Sequence, residues 1–172
     1  MKTHILISCV SKKLDRPAPA KDLYTSPLFK FAYQYATSLK PDTIFILSAK
    51  HGLLSCDEVI APYNETLNKM KAREVEIWAK QVLTELTKRT DLENDNFVLL
   101  AGEKYRKYLM PHLKHYRVPM KGLGIGEQLS WLKGRGLGAA QKDVWSRRSH
   151  MNISRKDVQR ICNASDGNGQ IL

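Results

Sequence analysis

His4-Ile5-Leu6-Ile7-Ser8-Cys9 is a near-continuous apolar run that closes on two small polar groups. A strand covered on both faces reads this way, whereas a strand with one wet face alternates. Two similar runs follow, Thr43–Leu47 (TIFIL) and Asn96–Ala101 (NFVLLA). Between the first two, Pro17 and Pro19 keep Ser11–Asp22 out of a helix. Ser26-Pro27 then supplies a cap and a first-turn proline, and Leu28, Phe31, Ala32 and Tyr35 share the apolar face of the helix that follows. After the second run, a long loop through Pro62-Tyr63-Asn64 leads to a helix over about Lys71–Lys88, striped by Val75, Trp78, Ala79, Val82 and Leu86. Asn94-Asp95 marks a turn, and Glu103–Leu113 reads as another helix. Strand and helix in alternation predict an α/β fold, a three-layer arrangement with a parallel sheet and helices on both faces.

The chain's 172 residues suffice for one domain with its own core. Its 28 Lys/Arg against 17 Asp/Glu give a net charge of +11, unevenly placed. Residues 1–102 hold 14 basic and 12 acidic groups, and residues 103–172 hold 14 and 5. An excess confined to one half indicates a surface for a polyanion, so the expected partner is nucleic acid, DNA ahead of RNA. No segment is both strongly amphipathic and rich in exposed apolar residues, which argues against a membrane surface. Residues 1–133 form the expected α/β domain. Residues 134–172 form an expected basic tail, with a GRGLG linker at 134–138 and a short helix over Arg155–Cys162.

Cys9, Cys56 and Cys162 are odd in number and widely spaced, neither a disulfide framework nor a zinc pattern, and they fit a reducing cytoplasm. The opening MKTHILISCV is too short to span a membrane and lacks a small-residue cleavage site. Of the histidines, only His112 and His115 have ligand-like spacing, without cysteine or carboxylate partners nearby, so no metal is expected. No G-x-S-x-G marks a serine nucleophile, and no cofactor is called for. Oligomeric state is not legible from the residues.

Chemistry in an open parallel sheet gathers at the carboxyl ends of the strands. Three polar loops lie there: Ser8-Cys9-Val10-Ser11-Lys12-Lys13, Ser48-Ala49-Lys50-His51-Gly52, and Gly102-Glu103-Lys104-Tyr105. In the first, Ser8, Ser11, Lys12 and Lys13 suit a phosphate or a base edge, or form a plain solvated turn; Cys9 reads as an inert buried thiol. In the second, His51 at a strand end is placed to move a proton or steady a developing anion, with Lys50 beside it. Asp57 and Glu58 lie just beyond, before an apolar stretch, where a carboxylate could activate water or stabilise a cationic sugar. Tyr63 could stack on a base; Asp22 and Tyr24 have the same character.

Val118–Lys133 (VPMKGLGIGEQLSWLK) sets Gly122, Gly124 and Gly126 before a helical pattern that begins with Glu127 and Gln128. Uncovered backbone N–H groups and a helix N-terminus form an anion site, here with Lys121. The same glycines also fit a tight turn with no ligand. Their spacing is not G-x-G-x-x-G and comes late in the chain, so a nucleotide cofactor is not expected.

Five blocks in order, ISCVSKK, PAPAKDLYTSPLFK, ILSAKHGLL, EVIAPYNETL and KGLGIGEQLSWLK, cover about Ile5–Lys133. Together they resemble a family of small, mostly uncharacterised bacterial and phage proteins. That family is similar to the glycosylase-like domain of archaeosine synthase and, more remotely, to a peroxide-stress family that binds DNA. The resemblance implies a uracil-DNA-glycosylase-like fold. True uracil-DNA glycosylases carry an Asp-Pro-Tyr type block where Ser8–Lys13 stands here, and a later His-Pro-Ser block that this chain lacks. A modified or bulky base is therefore the expected substrate rather than uracil.

The resulting expectation is a glycosylase-like enzyme that cleaves the N-glycosidic bond of a modified base in nucleic acid, in phage defence or DNA repair. Catalysis falls to His51, Asp57 and Glu58. Ser8, Cys9, Ser11, Lys12, Lys13, Asp22, Tyr24, Ser48, Lys50 and Tyr63 would hold the flipped nucleotide. Lys121, Gly122, Gly124, Gly126 and Gln128 would clamp phosphate. The rivals are a non-catalytic DNA-binding stress protein and an enzyme of free nucleosides or nucleotides.

Overall fold

The computed structural model describes residues 1–135, and the expected linker and tail helix fall almost wholly outside the described residues. The described elements are β1 (Thr3–Ser8), β2 (Ala18–Pro19), α1 (Ala20–Leu23), α2 (Pro27–Ser38), β3 (Thr43–Ser48), β4 (Gly52–Ser55) and β5 (Val59–Ile60), then α3 (Ala72–Arg89), β6 (Asn96–Leu100), α4 (Glu103–Arg106), β7 (His115–Arg117) and α5 (Ile125–Lys133). The main sheet runs β4-β3-β1-β6-β7. β1 pairs in parallel with β3 and β6, and β6 in parallel with β7, while β4 returns antiparallel to β3. The fold is thus α/β with a mostly parallel sheet flanked by helices.

The three apolar runs are its three central strands. Ile5, Leu6, Ile7, Ile46, Leu47 and Phe97 are essentially inaccessible, because helices cover both faces. β1 leads through α2 to β3 on one side, and β3 leads through α3 to β6 on the other. Right-handed crossovers running in opposite directions place α2 and α3 on opposite faces. α5 packs beside α2, where Trp131 meets Tyr35 edge-on with ring centres 5.0 Å apart.

α3 buries the five residues of its expected stripe. Ser26 caps α2 as expected, its Oγ accepting from the Phe29 N–H at 3.3 Å. The buried face of α2 is, however, Phe29, Ala32, Tyr35 and Ala36, with Leu28 and Phe31 only half-buried. Phe29 is drawn in by Tyr24, whose ring lies 4.9 Å away. The expected helix over Glu103–Leu113 breaks after Arg106 and ends in a short 3-10 turn at Met110–His112. Pro111 lacks an N–H, and its ring would clash with the carbonyl four residues back, at Lys107, if the α-helix continued.

At the amino end of the sheet, buried His4 meets Asp95 at 3.1 Å, and Asp95 also accepts from the Lys2 and Asp91 backbone N–H groups. Burial pushes its carboxyl up, but these donors outweigh that and hold it at about 2. Among the described residues no helix is long and apolar enough to cross a membrane.

Candidate functional site at the carboxyl rim

The carboxyl ends of β3, β1, β6 and β7 form one rim. At β3, Ser48 is fully buried and its Oγ donates to the Tyr63 hydroxyl at 2.7 Å. Tyr63 in turn shares a 2.7 Å hydrogen bond with the Tyr24 hydroxyl. The His51 backbone N–H donates to Ser48 Oγ at 3.0 Å, and the Trp78 indole N–H donates to the Ser48 carbonyl at 2.8 Å. The His51 ring stands edge-on to Tyr63, 5.4 Å between centres.

Beside this chain of hydroxyls, Lys13 Nζ lies 4.3 Å from the Tyr63 ring centre and 5.5 Å from that of Tyr24. It donates to the Val10 carbonyl at 3.0 Å, so tyrosine faces and carbonyls hold the ammonium where a carboxylate usually would. Partial burial lowers the Lys13 pKa, against the opposing influence of Cys9. At the end of β1, buried Cys9 meets the Tyr105 hydroxyl at 3.2 Å, and Tyr105 packs edge-on against Trp78. Burial, and then the neighbouring Cys9, push the phenols of Tyr24, Tyr63 and Tyr105 above their ordinary range. At neutral pH these are protonated hydrogen-bonding groups, not bases.

Cys9, Lys13, Tyr24, Ser48, His51 and Tyr63 therefore come together, and Tyr105, from the third rim loop, joins them. Ser11, Lys12, Asp22 and Lys50 are exposed around them, and Lys50 lies 4.0 Å from Glu65. Ser8 is half-buried at the end of β1. Asp57 and Glu58 are not brought to His51. Gly52 pairs with Ser48 at the rim, but Ser55 already pairs with Phe45 farther down the sheet. At about 3.3 Å per residue this return strand carries the chain roughly 10 Å away from the rim before Asp57. There Asp57 is exposed and pairs with Lys21 at 2.5 Å. The β5–β2 ribbon then brings the chain back to Tyr63.

The glycine segment lies farther along the rim. Gly122 has φ +81°, a turn that requires glycine. The Gly124 N–H is occupied by the Glu127 carboxylate at 2.7 Å, and Gln128 Nε2 by the Leu123 carbonyl at 2.8 Å. α5 thus carries its own anion at its start. Gly126 and Lys121 are exposed. Between this segment and the end of β6 opens a cavity of about 520 Å³, lined by the apolar Leu99, Val118 and Met120 and the basic Arg106 and Lys121 among others. The Arg106 Nε is buried without a hydrogen-bond partner among the described residues.

Trp78 and Arg106 were not legible as site residues. Trp78 is indistinguishable by spacing from the rest of its apolar stripe; the only hint is that a buried indole N–H needs an acceptor. Arg106 carries no signal beyond basic character. No group of three His, Cys, Asp or Glu side chains suited to a metal gathers among the described residues.

Residues 5–134 match the model of a family of unknown function (DUF6884), and the chain belongs to that family. It is also 28% identical over 142 residues to the uncharacterized protein YfjM of Bacillus subtilis (strain 168), across 77% of this chain and 93% of that protein.

Proposed function

We propose that this member of the DUF6884 family binds nucleic acid along the carboxyl rim of its sheet and there cleaves the N-glycosidic bond of a modified base. The observation that carries the reading is charge placement. Residues 103–135, which follow β6 and surround β7 and α5, hold eight Lys/Arg against two Glu. Such a surface binds a polyanion by releasing its counterions.

In the proposed reaction the base departs with the electron pair of the N-glycosidic bond. Water gives its hydroxyl to the sugar carbon and its proton to the base. The Lys13 ammonium and the His51 ring, each in contact with Tyr63, would stabilise the departing base. Asp57 and Glu58 have no part in this scheme, since they stand away from His51. A uracil-DNA-glycosylase-like ancestry, as the five sequence blocks imply, would fit it.

The test is base release from DNA carrying ordinary, uracil-containing and hypermodified bases, phage DNA included. Free base is read by mass spectrometry and abasic sites by alkaline cleavage. Release that falls in Lys13→Ala and His51→Ala supports the proposal; release that both variants keep removes these roles.

A second reading, a non-catalytic nucleic-acid-binding protein, is favoured by one observation. The hydroxyls of Ser48, Tyr63 and Tyr24 satisfy one another, and the His51 ring meets no carboxylate among the described residues. Salt-sensitive binding without release from any DNA would select it.

A further inference from the structure

We infer that the cavity between the ends of β6 and β7 is the site of one nucleoside monophosphate unit, its ring against Val118 and Met120 and its phosphate between Arg106 and Lys121. The inference rests on the nucleic-acid reading above and names the subsite. The cavity's volume, about 520 Å³, falls within the roughly 300–1,000 Å³ common for small-molecule sites. Its lining holds both apolar and cationic side chains, and a nucleotide brings both a flat apolar ring and a dianion.

Three features separate it from an ordinary surface dimple. First, Arg106 and Lys121 both line the cavity, and a guanidinium beside an ammonium suits a phosphate held by charge-assisted hydrogen bonds. Second, neither Arg106 nor Lys121 forms an ion pair among the described residues; Glu103, the one acid on the wall, is exposed. Third, Gly102 borders the cavity with an ordinary φ of −60°, and a Cβ there would meet nothing within 4 Å. Backbone geometry does not demand glycine, and Ser or Asp would cap α4 better. Glycine there leaves the entrance open. The phosphate would lie on Arg106 and not on the start of α5, where Glu127 already holds the Gly124 N–H.

The test titrates the full-length chain, followed by amide NMR, with inorganic phosphate, adenosine, AMP, GMP and a single-stranded oligonucleotide. AMP or GMP should shift Gly102, Lys121 and Gly122 and bind about tenfold or more tighter than phosphate or adenosine alone. Arg106→Gln and Lys121→Ala should each weaken nucleotide binding severalfold, and Gly102→Leu should abolish it with an unchanged melting midpoint. Phosphate binding as tightly as the nucleotides, or Gly102→Leu binding normally, overturns the inference. If every variant keeps wild-type affinity for the oligonucleotide and nucleotides leave the cavity unmoved, the cavity assignment fails while the nucleic-acid reading stands. If nucleotides bind here and the oligonucleotide does not, the nucleic-acid reading fails and the cavity serves free nucleotides.

Discussion

Two stretches of one rim are built on opposite principles. Around Ser48 the buried hydroxyls, the indole and the thiol have internal partners: Ser48 to Tyr63, Tyr63 to Tyr24, Trp78 to the Ser48 carbonyl, Cys9 to Tyr105. Two strands away, the cavity is open, and the Arg106 Nε and Lys121 have no partner among the described residues. The closed cluster ties the loops after β1 and β3 to α3 and α4, and its polar groups are costly to leave unpaired in a dry interior. The open stretch leaves Arg106 and Lys121 outside any ion pair among the described residues. The difference separates residues that make the rim from residues that can use it, and the two classes should respond oppositely to substitution.

The largest effect should come from Trp78→Ala. It removes a large side chain that is 6% exposed, its ring contact with Tyr105 and the donor to Ser48. A loss of about 3–5 kcal/mol is expected, read as a large fall in the denaturant midpoint. If Trp78→Ala were near neutral, the cluster would not be what holds the rim together. Tyr63→Phe is smaller but sharper. The ring and its contact with His51 stay, while the Ser48 and Tyr24 hydroxyls lose their common partner. About 1–3 kcal/mol should be lost. A double-mutant cycle with Ser48→Ala should show coupling, since the two share one hydrogen bond. Additive losses would dissolve the network into independent contacts.

Alkaline pH should also distinguish the two stretches. Tyr24, Tyr63 and Tyr105 have folded pKa values raised above the ordinary phenol value of about 10. Between the unfolded and folded values the native state binds more protons than the unfolded one, so stability falls as pH rises. The contribution is complete below about pH 10 and is lost above it. Tyr63→Phe should flatten that limb, whereas Arg106→Gln should leave its slope unchanged. Equal slopes in wild type and Tyr63→Phe would contradict the raised phenols.

The same contrast explains what the sequence made legible. The central strands could be read because burial on both faces leaves an unbroken apolar run. The α3 stripe could be read because eighteen residues give several turns of the period. Gly52–Ser55 could not, since four residues returning along a sheet edge leave no pattern, and missing that strand placed Asp57 and Glu58 beside His51. On α2, Phe29 with Ala32 fits the helical period as well as Leu28 with Phe31, and only the packing against Tyr24 decides. The site followed the same rule. Lys13, Tyr24, Ser48, His51 and Tyr63 stand out as candidates because they lie at strand ends or in the loops near them, where polar residues are conspicuous. Trp78 lay hidden in a core stripe, and Arg106 among many basic residues.

The smallest effect on folding belongs to the open stretch. Lys121 is exposed and touches no partner among the described residues, so Lys121→Ala should change stability by no more than about 0.5 kcal/mol. Its effect should appear in the salt dependence of nucleic-acid binding. Loss of one phosphate contact reduces the slope of log K against log salt by roughly one unit, about equally for every DNA sequence. Tyr63→Phe should do the reverse, lowering stability while leaving that slope alone wherever the protein remains folded. An unchanged slope in Lys121→Ala would remove the lysine from the phosphate path. A slope reduced in both variants would mean that binding depends on the whole rim, and the line drawn between making the rim and using it would have to be given up.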